Sequence, residues 1–237
     1  MIQRRLIPTY IFLIIVSFIS VFPFYWMISA ATNQSIDVAR GKITIGGYAL
    51  QNFQNLVSQY NLWGCLGNSF KYAIVQTLLA IFICSLAGFG FELYHDKQKD
   101  GVFSVLLLAM MIPQVATMIP LFKMISSAGL LNSVWGFILP GISTPFLIMM
   151  FRQNSRNFPP DVMEAARLDG LSEFRIFLQM YMPMMKATYA AAGVITFMNA
   201  WNNYLWPKVI MISGDSQTMP MLVANLSTGY SIDYGVL

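Results

Sequence analysis

The chain has 237 residues, of which 57 % are hydrophobic and only 10 % are charged, with 14 basic and 10 acidic side chains. The mean hydropathy is +0.59, and a soluble domain of this size cannot hide so much apolar surface from water, while a disordered chain needs the opposite composition. The composition therefore excludes a soluble globular enzyme and a disordered protein, and it indicates a polytopic membrane protein.

Charge-free apolar stretches of about 20 residues, the length that a helix needs to cross a bilayer, predict five membrane spans. They lie near residues 9–31, 69–93, 102–122, 133–151 and 187–209. The first apolar stretch is longer than that of a signal peptide and is expected to be retained. The uncharged segment 43–70 is rich in Gly, Asn and Gln, which predicts a polar loop with a short interfacial helix near 52–62. We expect one all-α domain over 1–237.

The basic residues between the predicted spans indicate the orientation. With a cytoplasmic N-terminus, nine basic residues fall inside and five outside, as the positive-inside rule requires. We therefore expect a multi-pass membrane protein whose N-terminus is cytoplasmic. The nine inside are Arg4, Arg5, Lys97, Lys99, Arg152, Arg156, Arg167, Arg175 and Lys186.

The most highly charged segment is the predicted cytoplasmic loop 152–186, which holds nine charged residues. Pro160 and Asp161 suit the first turn of a helix, where proline loses no hydrogen bond and an acid faces the positive end of the helix dipole. Gly170 suits the position after the last turn, where the backbone adopts a positive φ. The pattern predicts a short helix over 160–169, in which Ala165 and Ala166 leave room for a partner surface.

A second helix is predicted directly after this turn. Ser172 can cap its start, and Pro183 is expected to stop it at Met182. Its apolar stripe is expected to lie on the transmembrane bundle and consists of Phe174, Phe177, Leu178 and Tyr181. The residues alone leave two interpretations open, a solvated connection or a docking element.

The spacing in this loop resembles the cytoplasmic motif of the membrane permease subunits of binding-protein-dependent ABC importers. In that motif Glu-Ala-Ala precedes a glycine and, further on, a hydrophobic pair that ends near Leu-Pro. Here Glu164-Ala165-Ala166 precedes Asp169-Gly170, and Ile176 and Met182-Pro183 match the later part. Met182 replaces the leucine, and Ala187 stands where a second proline is common.

The resemblance extends to other parts of the chain. Asn68-Ser69 and the segment 129–133 look like the same family. The segment 197–207, with its run Asn199-Ala200-Trp201-Asn202-Asn203-Tyr204, is similar to the carbohydrate-importing branch, specifically the maltose-type second permease.

This resemblance implies a type I ABC importer permease fold, a helical bundle with six core spans, so that the last core span is expected to be missing here. It implies a location in a bacterial-type inner membrane and a pathway for a sugar or oligosaccharide. The implied partners are an ABC ATPase dimer that holds ATP and Mg, a second permease subunit in a heterodimer, and an extracytoplasmic solute-binding protein. The residues implied in coupling to the ATPase are Asp161, Glu164, Ala165, Ala166, Asp169, Gly170 and Pro183.

A mixture of amides and aromatic rings in the last predicted span suits sugar hydroxyls and apolar sugar faces. The candidate pathway residues are Asn199, Trp201, Asn202, Asn203 and Tyr204. Alternatively, Trp201, Tyr204 and Trp206 form an aromatic belt at the membrane interface. We favour the belt for Trp206, which lies beside Pro207.

Several other functions are disfavoured by the sequence. The chain has no phosphate-binding loop of the Gly-x4-Gly-Lys-Ser/Thr type, so ATP hydrolysis is expected on a separate subunit. Two cysteines and the single His95 do not suggest a metal site, and no cofactor is expected on this chain. An intramembrane enzyme or a proton-coupled transporter would need acidic or histidine residues at span depth. The open alternative is a permease for another solute, such as glycerol phosphate or an amino acid.

Overall fold

The computed structural model describes residues 2–94, 96–228 and 232–237, and the regular structure of these residues is helical throughout. His95 lies outside the described residues. The chain divides into two compact units, the first formed by residues 1–63 and 222–237 and the second by residues 64–221. An all-helical fold is what the composition and the long apolar stretches predict.

The first unit contains helices α1 (Ile2–Ala31), α2 (Ser35–Ala39) and α3 (Ala49–Gln59). The apolar part of α1, Leu6–Ala31, is long and hydrophobic enough to cross a membrane. Its large apolar side chains are exposed, which suits a helix surrounded by lipid. The prediction of a helix over 9–31 is confirmed, and the short helix expected near 52–62 begins three residues earlier.

Two buried asparagines hold the turn after α1. The Asn33 amide donates to the carbonyl oxygens of Ser29 (2.8 Å) and Thr44 (2.7 Å). The Asn52 amide donates to the carbonyl oxygens of Ala31 and Asn33, each at 2.9 Å. These bonds satisfy backbone groups that the end of α1 leaves unpaired. Within the polar segment 43–70, the Asn52 amide therefore holds α3 against the end of α1.

The second unit contains most of the remaining helices. Two helices cross the boundary between the units, namely α4 (Leu62–Leu93) and α14 (Met219–Ser227). The others are α5 (Lys97–Ala109), α6 (Gln114–Ser127), α7 (Val134–Ile138) with a 3-10 turn (Leu139–Gly141), α8 (Pro145–Ser155), α9 (Pro160–Leu168), α10 (Glu173–Ile176) with a π turn (Phe177–Tyr181), α11 (Met182–Met184), α12 (Lys186–Trp201), α13 (Leu205–Ile210) and a 3-10 turn (Gly214–Ser216).

Helix α4 runs through this unit without a break. It is 32 residues long and apolar enough to span a membrane, which confirms the helix predicted over 69–93. One face carries small residues that let α8 come close. A Cβ atom at Gly88 would lie 2.6 Å from the Cβ of Phe151, so only glycine permits this approach.

The third and fourth predicted helices are each broken in two. Helices α5 and α6 meet at an angle of 104°, and the segments 134–141 and 145–155 at 47°. A single straight helix over 102–122 is therefore wrong. Pro113 disfavours helical geometry at Ile112 and cannot donate to the preceding turn, so α6 restarts there. Pro145 has the same effect at the start of α8.

The fifth predicted helix, over 187–209, is also interrupted. Helix α12 ends at Trp201 after 16 residues, and α13 begins only at Leu205. Adjacent asparagines favour turns because their side chains compete for backbone groups. Here the Asn203 side-chain oxygen accepts from the backbone N–H of Trp206 at 3.3 Å and starts the new helix.

Charged side chains gather at one end of this unit. The Arg152 guanidinium on α8 contacts the carboxylates of Glu92 (3.1 Å) and Asp100 (2.6 Å), and that of Arg156 lies 3.3 Å from Glu92. The Arg152 guanidinium also lies 4.2 Å from the centre of the Phe103 ring. The segments predicted to be cytoplasmic therefore meet at a common end of α4, α5 and α8.

Segments predicted to be outside also meet each other. The Asn68 amide at the start of α4 donates to the carbonyl oxygens of Asp215 (2.7 Å) and Gln217 (3.0 Å), and the Ser69 hydroxyl accepts from the N–H of Met219 at 2.8 Å. The Asn132 side-chain oxygen accepts from the N–H of Ser213 at 2.8 Å. These polar residues fasten the segment 213–219 to the starts of two helical regions.

Candidate functional site: a charged helical loop and a carboxamide-lined cavity

Helix α9 begins and ends as its sequence predicts. Pro160 occupies its first turn. Gly170 follows the helix with φ +78°, and its N–H donates to the carbonyl of Arg167 while the N–H of Leu171 donates to that of Ala166, each at 3.0 Å. This pair of bonds is a Schellman motif, which requires a residue with positive φ at the glycine.

The inward face of α9 packs on the helices that follow it. Met163 and Ala166 are buried with Ile176, Phe177 and Tyr181 in one apolar cluster. The expectation that Ala166 offers room to a partner is therefore wrong, because the loop's own core covers its side chain. Ala165, its neighbour, is exposed.

The prediction that the apolar stripe of the second helix is buried is only partly right. Phe177 and Tyr181 are buried as expected, but Phe174 is 52 % and Leu178 is 39 % exposed, while Ile176 is fully buried. The reason is the π turn at Phe177–Tyr181, whose wider winding rotates the inward face away from the 3.6-residue spacing.

This π turn also explains why Pro183 does not stop the helix. The helical path continues through α11 to Met184. A proline inside an α-helix clashes with the carbonyl four residues earlier, and the wider π winding relieves this conflict. Pro183 itself is exposed.

The outward face of α9 combines negative charge with one large apolar side chain. Asp161, Glu164 and Asp169 are exposed, and none forms an ion pair with another described residue. Leu168 is 89 % exposed, more than any other large hydrophobic side chain described. Leu168 was not predicted from the sequence as a contact residue, although its position directly before Asp169-Gly170 at the end of the helix could have indicated an exposed leucine.

A polar contact ties this loop to the end of α4. The Arg167 Nε lies 2.8 Å from Glu173 Oε1, and the Tyr94 hydroxyl donates to the other oxygen of that carboxylate. The Arg167 guanidinium also lies 5.7 Å from the centre of the Tyr94 ring. A hydrogen bond from Arg167, and a weaker effect from that of Tyr94, lower the pKa of the Glu173 carboxyl group. The carboxylate stays ionised and joins α9, α10 and α4.

The second site is a cavity of about 700 Å³ inside the second unit, a size typical of small-molecule sites. Helices α4, α6, α12 and α13 and the turn after α7 enclose it. None of its described lining residues has an acidic or basic side chain. The lining residues are Gln76, Gln114, Val115, Thr117, Met118, Leu121, Phe137, Pro140, Gly141, Thr144, Asn199, Asn202, Asn203, Tyr204, Leu205 and Trp206.

Four of the five residues proposed from sequence for the pathway line this cavity, namely Asn199, Asn202, Asn203 and Tyr204. Trp201 does not. Its ring packs with those of Phe70 and Phe197, with centres 4.8 Å and 5.8 Å away.

The interpretation of Trp206 as part of an interfacial belt is wrong. Only 4 % of Trp206 is exposed, and its indole N–H donates to the carbonyl oxygen of Gly136 at 3.1 Å. Helix α13 folds back against α7 rather than extending α12 towards the interface. The interruption of the helix at Asn202 and Asn203 is what buries this ring.

Two carboxamide residues of the cavity were missed from the sequence. Gln76 and Gln114 place further carboxamides on the lining from α4 and α6. Gln76 is an amide in the middle of a charge-free span, and such a residue marks a pathway or an inter-helix bond. No hydrogen bond joins the side chains of Gln76, Gln114, Asn199 or Asn202 to another described residue. These amides are available to a bound molecule.

Comparisons with known proteins place this arrangement in a family. The model of the binding-protein-dependent transport system inner membrane component matches residues 80–236. The lactose transport system permease protein LacG of Rhizobium radiobacter is 43 % identical, over 99 % of this chain and 87 % of that protein. The arabinooligosaccharides transport system permease protein AraQ of Halalkalibacterium halodurans is 34 % identical, over 94 % and 81 %.

Two further similarities bear on substrate and fold. The sn-glycerol-3-phosphate transport system permease protein UgpE of Escherichia coli is 31 % identical, over 83 % of this chain and 73 % of that protein. The crystal structure of a bacterial ABC transporter involved in the import of the acidic polysaccharide alginate matches with a TM-score of 0.82 at 17 % identity, over 99 % of this chain and 89 % of that chain. The predicted ABC importer permease fold is confirmed.

Proposed function

The chain belongs to the binding-protein-dependent transport system inner membrane components, and from that membership we propose that it is the permease subunit of an ATP-driven importer of a sugar or oligosaccharide. The names of LacG and AraQ, two permeases of carbohydrate transport systems, support a carbohydrate as the solute. The carboxamide lining of the cavity supports the same assignment, since amides both donate to and accept from hydroxyl groups.

In this proposal the cavity is part of the translocation pathway. Unpaired amides are costly at span depth unless water or a polar solute reaches them. A chamber of about 700 Å³ holds water when the solute is absent and exchanges that water for sugar hydroxyls. Tyr204 adds an aromatic face to the lining, which suits the apolar face of a sugar ring.

Helix α9 is the element that docks on the cytoplasmic ATPase. Its inner face is fixed by the buried cluster around Ile176 and Phe177, so a force on its outer face moves the whole loop. Leu168 provides the apolar contact, while Asp161, Glu164 and Asp169 provide charges for basic partner residues. ATP-driven closure of two ATPase subunits moves this helix and changes the access of the cavity from one side of the membrane to the other.

The complex has further parts. ATP and Mg bind to the ATPase dimer, a second permease completes a heterodimer around the pathway, and an extracytoplasmic binding protein delivers the solute. The N-terminus is cytoplasmic in this arrangement, so the cluster of Arg152, Glu92 and Asp100 lies at the cytoplasmic end. That placement puts the loop 152–186 on the side where the ATPase is found.

The exposed Leu168 on a firmly packed helix is the observation that carries the proposal. Full burial of a leucine contributes about 1.5–3 kcal/mol, so Leu168→Ser is expected to weaken ATPase binding by at least about tenfold. The chain, tagged and purified in mild detergent, is expected to bring down an ABC ATPase and a second permease. Leu178→Ser, an exposed leucine of the same loop but not of α9, is the matched control.

Equal ATPase recovery with Leu168→Ser and with the unaltered chain would contradict the docking assignment. Purification of the chain without any ATPase, with the loop open to protease, would contradict the proposed function itself.

A further inference from the structure

Gln76 stands apart from the other cavity residues because it is both buried and unpaired. Only 9 % of this residue is exposed, yet its carboxamide makes no hydrogen bond to another described residue. The side chain lines the cavity, so a molecule inside the cavity can reach the amide.

A glycine holds the Gln76 amide in place. A Cβ atom added at Gly141 would lie 2.2 Å from the amide nitrogen of Gln76 and 2.7 Å from its amide carbon. The backbone at Gly141, the last residue of the 3-10 turn Leu139–Gly141, therefore lies close to the amide. Because packing restricts the amide to this position, it can distinguish ligands by where they place a hydroxyl group.

The surroundings of Gln76 determine the charge of the ligand. The other polar side chains on the lining are amides and hydroxyls, including Gln114, Asn199 and Asn202, and no Lys, Arg or His is among the lining residues. Sites for phosphate or carboxylate groups use basic side chains or arrays of backbone N–H groups. An anionic solute would lose its hydration in this cavity and would gain no cation from the lining residues of this chain.

From this geometry we infer that Gln76 is a specificity-determining residue that reads a hydroxyl group of an uncharged saccharide, and that the cavity rejects phosphorylated and acidic sugars. The inference rests on the proposed function, because it concerns the solute that the importer moves. It separates this chain from relatives and structural neighbours whose names give an anionic solute. A buried site built to bond a hydroxyl discriminates strongly against a ligand that lacks it.

The test uses the whole transporter, with its ATPase, second permease and binding protein, in proteoliposomes. Lactose and arabinose oligosaccharides are the neutral probes, and sn-glycerol 3-phosphate is the anionic one. The KM for uptake of the transported sugar is expected to rise about three- to tenfold in Gln76→Leu, the loss of one ligand hydrogen bond. Gly141→Ala is expected to have the same effect, while Gln98→Leu, at an exposed glutamine outside the cavity, leaves KM unchanged.

Gln76→Glu distinguishes recognition from a packing defect. Its ionised form lacks the donor, whereas its protonated form regains it and is neutral, so uptake is expected to recover as the pH is lowered. Gln76→Leu is expected to show no such recovery. A series of monodeoxy derivatives of the transported sugar is expected to contain one that the unaltered transporter takes up poorly and that Gln76→Leu no longer distinguishes from the parent.

The outcomes separate this inference from the proposed function. Sugar uptake with an unchanged KM in Gln76→Leu would overturn the inference and leave the sugar permease intact. Uptake of sn-glycerol 3-phosphate at a rate comparable to that of the sugar would overturn the charge selectivity. Uptake of sn-glycerol 3-phosphate and of no sugar would overturn both.

Discussion

Gly170 connects a backbone conformation to the proposed coupling step. Its φ of +78° is required by the turn that ends α9, and open space surrounds the position where a Cβ would lie. The cost of a side chain there is therefore conformational, about 1–2 kcal/mol, and not a clash. Such a cost is too small to unfold the protein, but it is large enough to change the end of a docking helix.

We predict that Gly170→Asp abolishes sugar uptake while the protein remains in the membrane at its normal level. The substitution strains the turn and adds another acidic side chain directly beside Asp169. Gly67→Asp is a suitable control, since Gly67 is also surrounded by open space but has no positive φ. Uptake by whole cells and membrane content by immunoblot are the measurements. Normal uptake by Gly170→Asp would exclude α9 as the coupling helix.

The residues that were predictable from sequence are those with a strict local requirement. Pro160 and Gly170 have roles that depend only on their neighbours in the chain, and the structure confirms both at the ends of α9. Ala166 and Trp206 were misjudged because their burial depends on distant segments, the cluster around Ile176 and the carbonyl of Gly136. Gln76 has no local signature beyond being polar in an apolar span.

At the scale of elements, the contact between α9, α10 and α4 links the proposed docking loop to the helix that lines the cavity. Glu173 accepts from Tyr94, directly after α4, and pairs with Arg167 in α9. The same helix α4 carries Gln76 into the cavity. A movement of α9 therefore reaches the cavity through one continuous helix.

The depressed pKa of Glu173 makes this contact sensitive to acid. The pKa of a free glutamate, roughly 4.3, is the pKa in the unfolded state. A carboxyl group whose pKa is lower in the folded state stabilises the loop at a pH above that unfolded-state pKa. This stabilisation is lost as the pH falls through the folded-state pKa. Hydrogen exchange of the loop amides, corrected for intrinsic rates, is expected to rise in this range. Glu173→Gln is expected to remove this pH response, whereas Glu164→Gln retains it. The same response in Glu173→Gln would contradict the assignment.

Arg152 is expected to stabilise the packing of α4, α5 and α8. Its side chain is 12 % exposed and contacts two carboxylates, whereas that of Arg156 is 66 % exposed and contacts one. Loss of a hydrogen bond to a buried charge costs about 1.5–3 kcal/mol, and an exposed pair contributes little. Arg152→Met is expected to lower the thermal unfolding midpoint in detergent by about 5 °C, and Arg156→Met to leave it unchanged. Equal thermal unfolding midpoints for Arg152→Met and Arg156→Met would contradict the different roles of these two arginines.

The number and position of helices were predictable where apolar length alone decides them, as in α1 and α4. Hydropathy did not predict the breaks in the helices, because Ile112-Pro113 and Asn202-Asn203 lie inside uncharged stretches of the sequence. The breaks matter for function. They bring Gln114 and Asn203 onto the cavity lining, where straight helices would have left them on separate surfaces.

At the scale of the whole molecule, the segments predicted to lie on one side of the membrane meet in space within the second unit. Glu92 and Asp100 meet Arg152, and Asn68 meets the segment 213–219. Both groupings agree with the alternation of sides that the predicted spans require, and each lies among residues that are polar enough to face water. The cytoplasmic location of the N-terminus stays a prediction.

This topology predicts opposite labelling of two single cysteines. In a chain whose buried Cys65 and Cys84 are replaced by serine, Ser127→Cys is expected to react with a membrane-impermeant maleimide on intact spheroplasts. Gln98→Cys is expected to react only after the membrane is opened. Both parent residues are exposed, so accessibility depends on the side of the membrane. The reverse pattern would invert the orientation and place the loop 152–186 away from any cytoplasmic ATPase.

The most direct test of the proposed function is sugar accumulation in proteoliposomes that contain this chain with its second permease and ATPase, supplied with ATP and the solute-binding protein. We expect uptake against a gradient that requires both ATP and the binding protein and that is lost in Gly170→Asp. Uptake that continues without ATP, or that is unaffected by Gly170→Asp, would contradict a coupled permease.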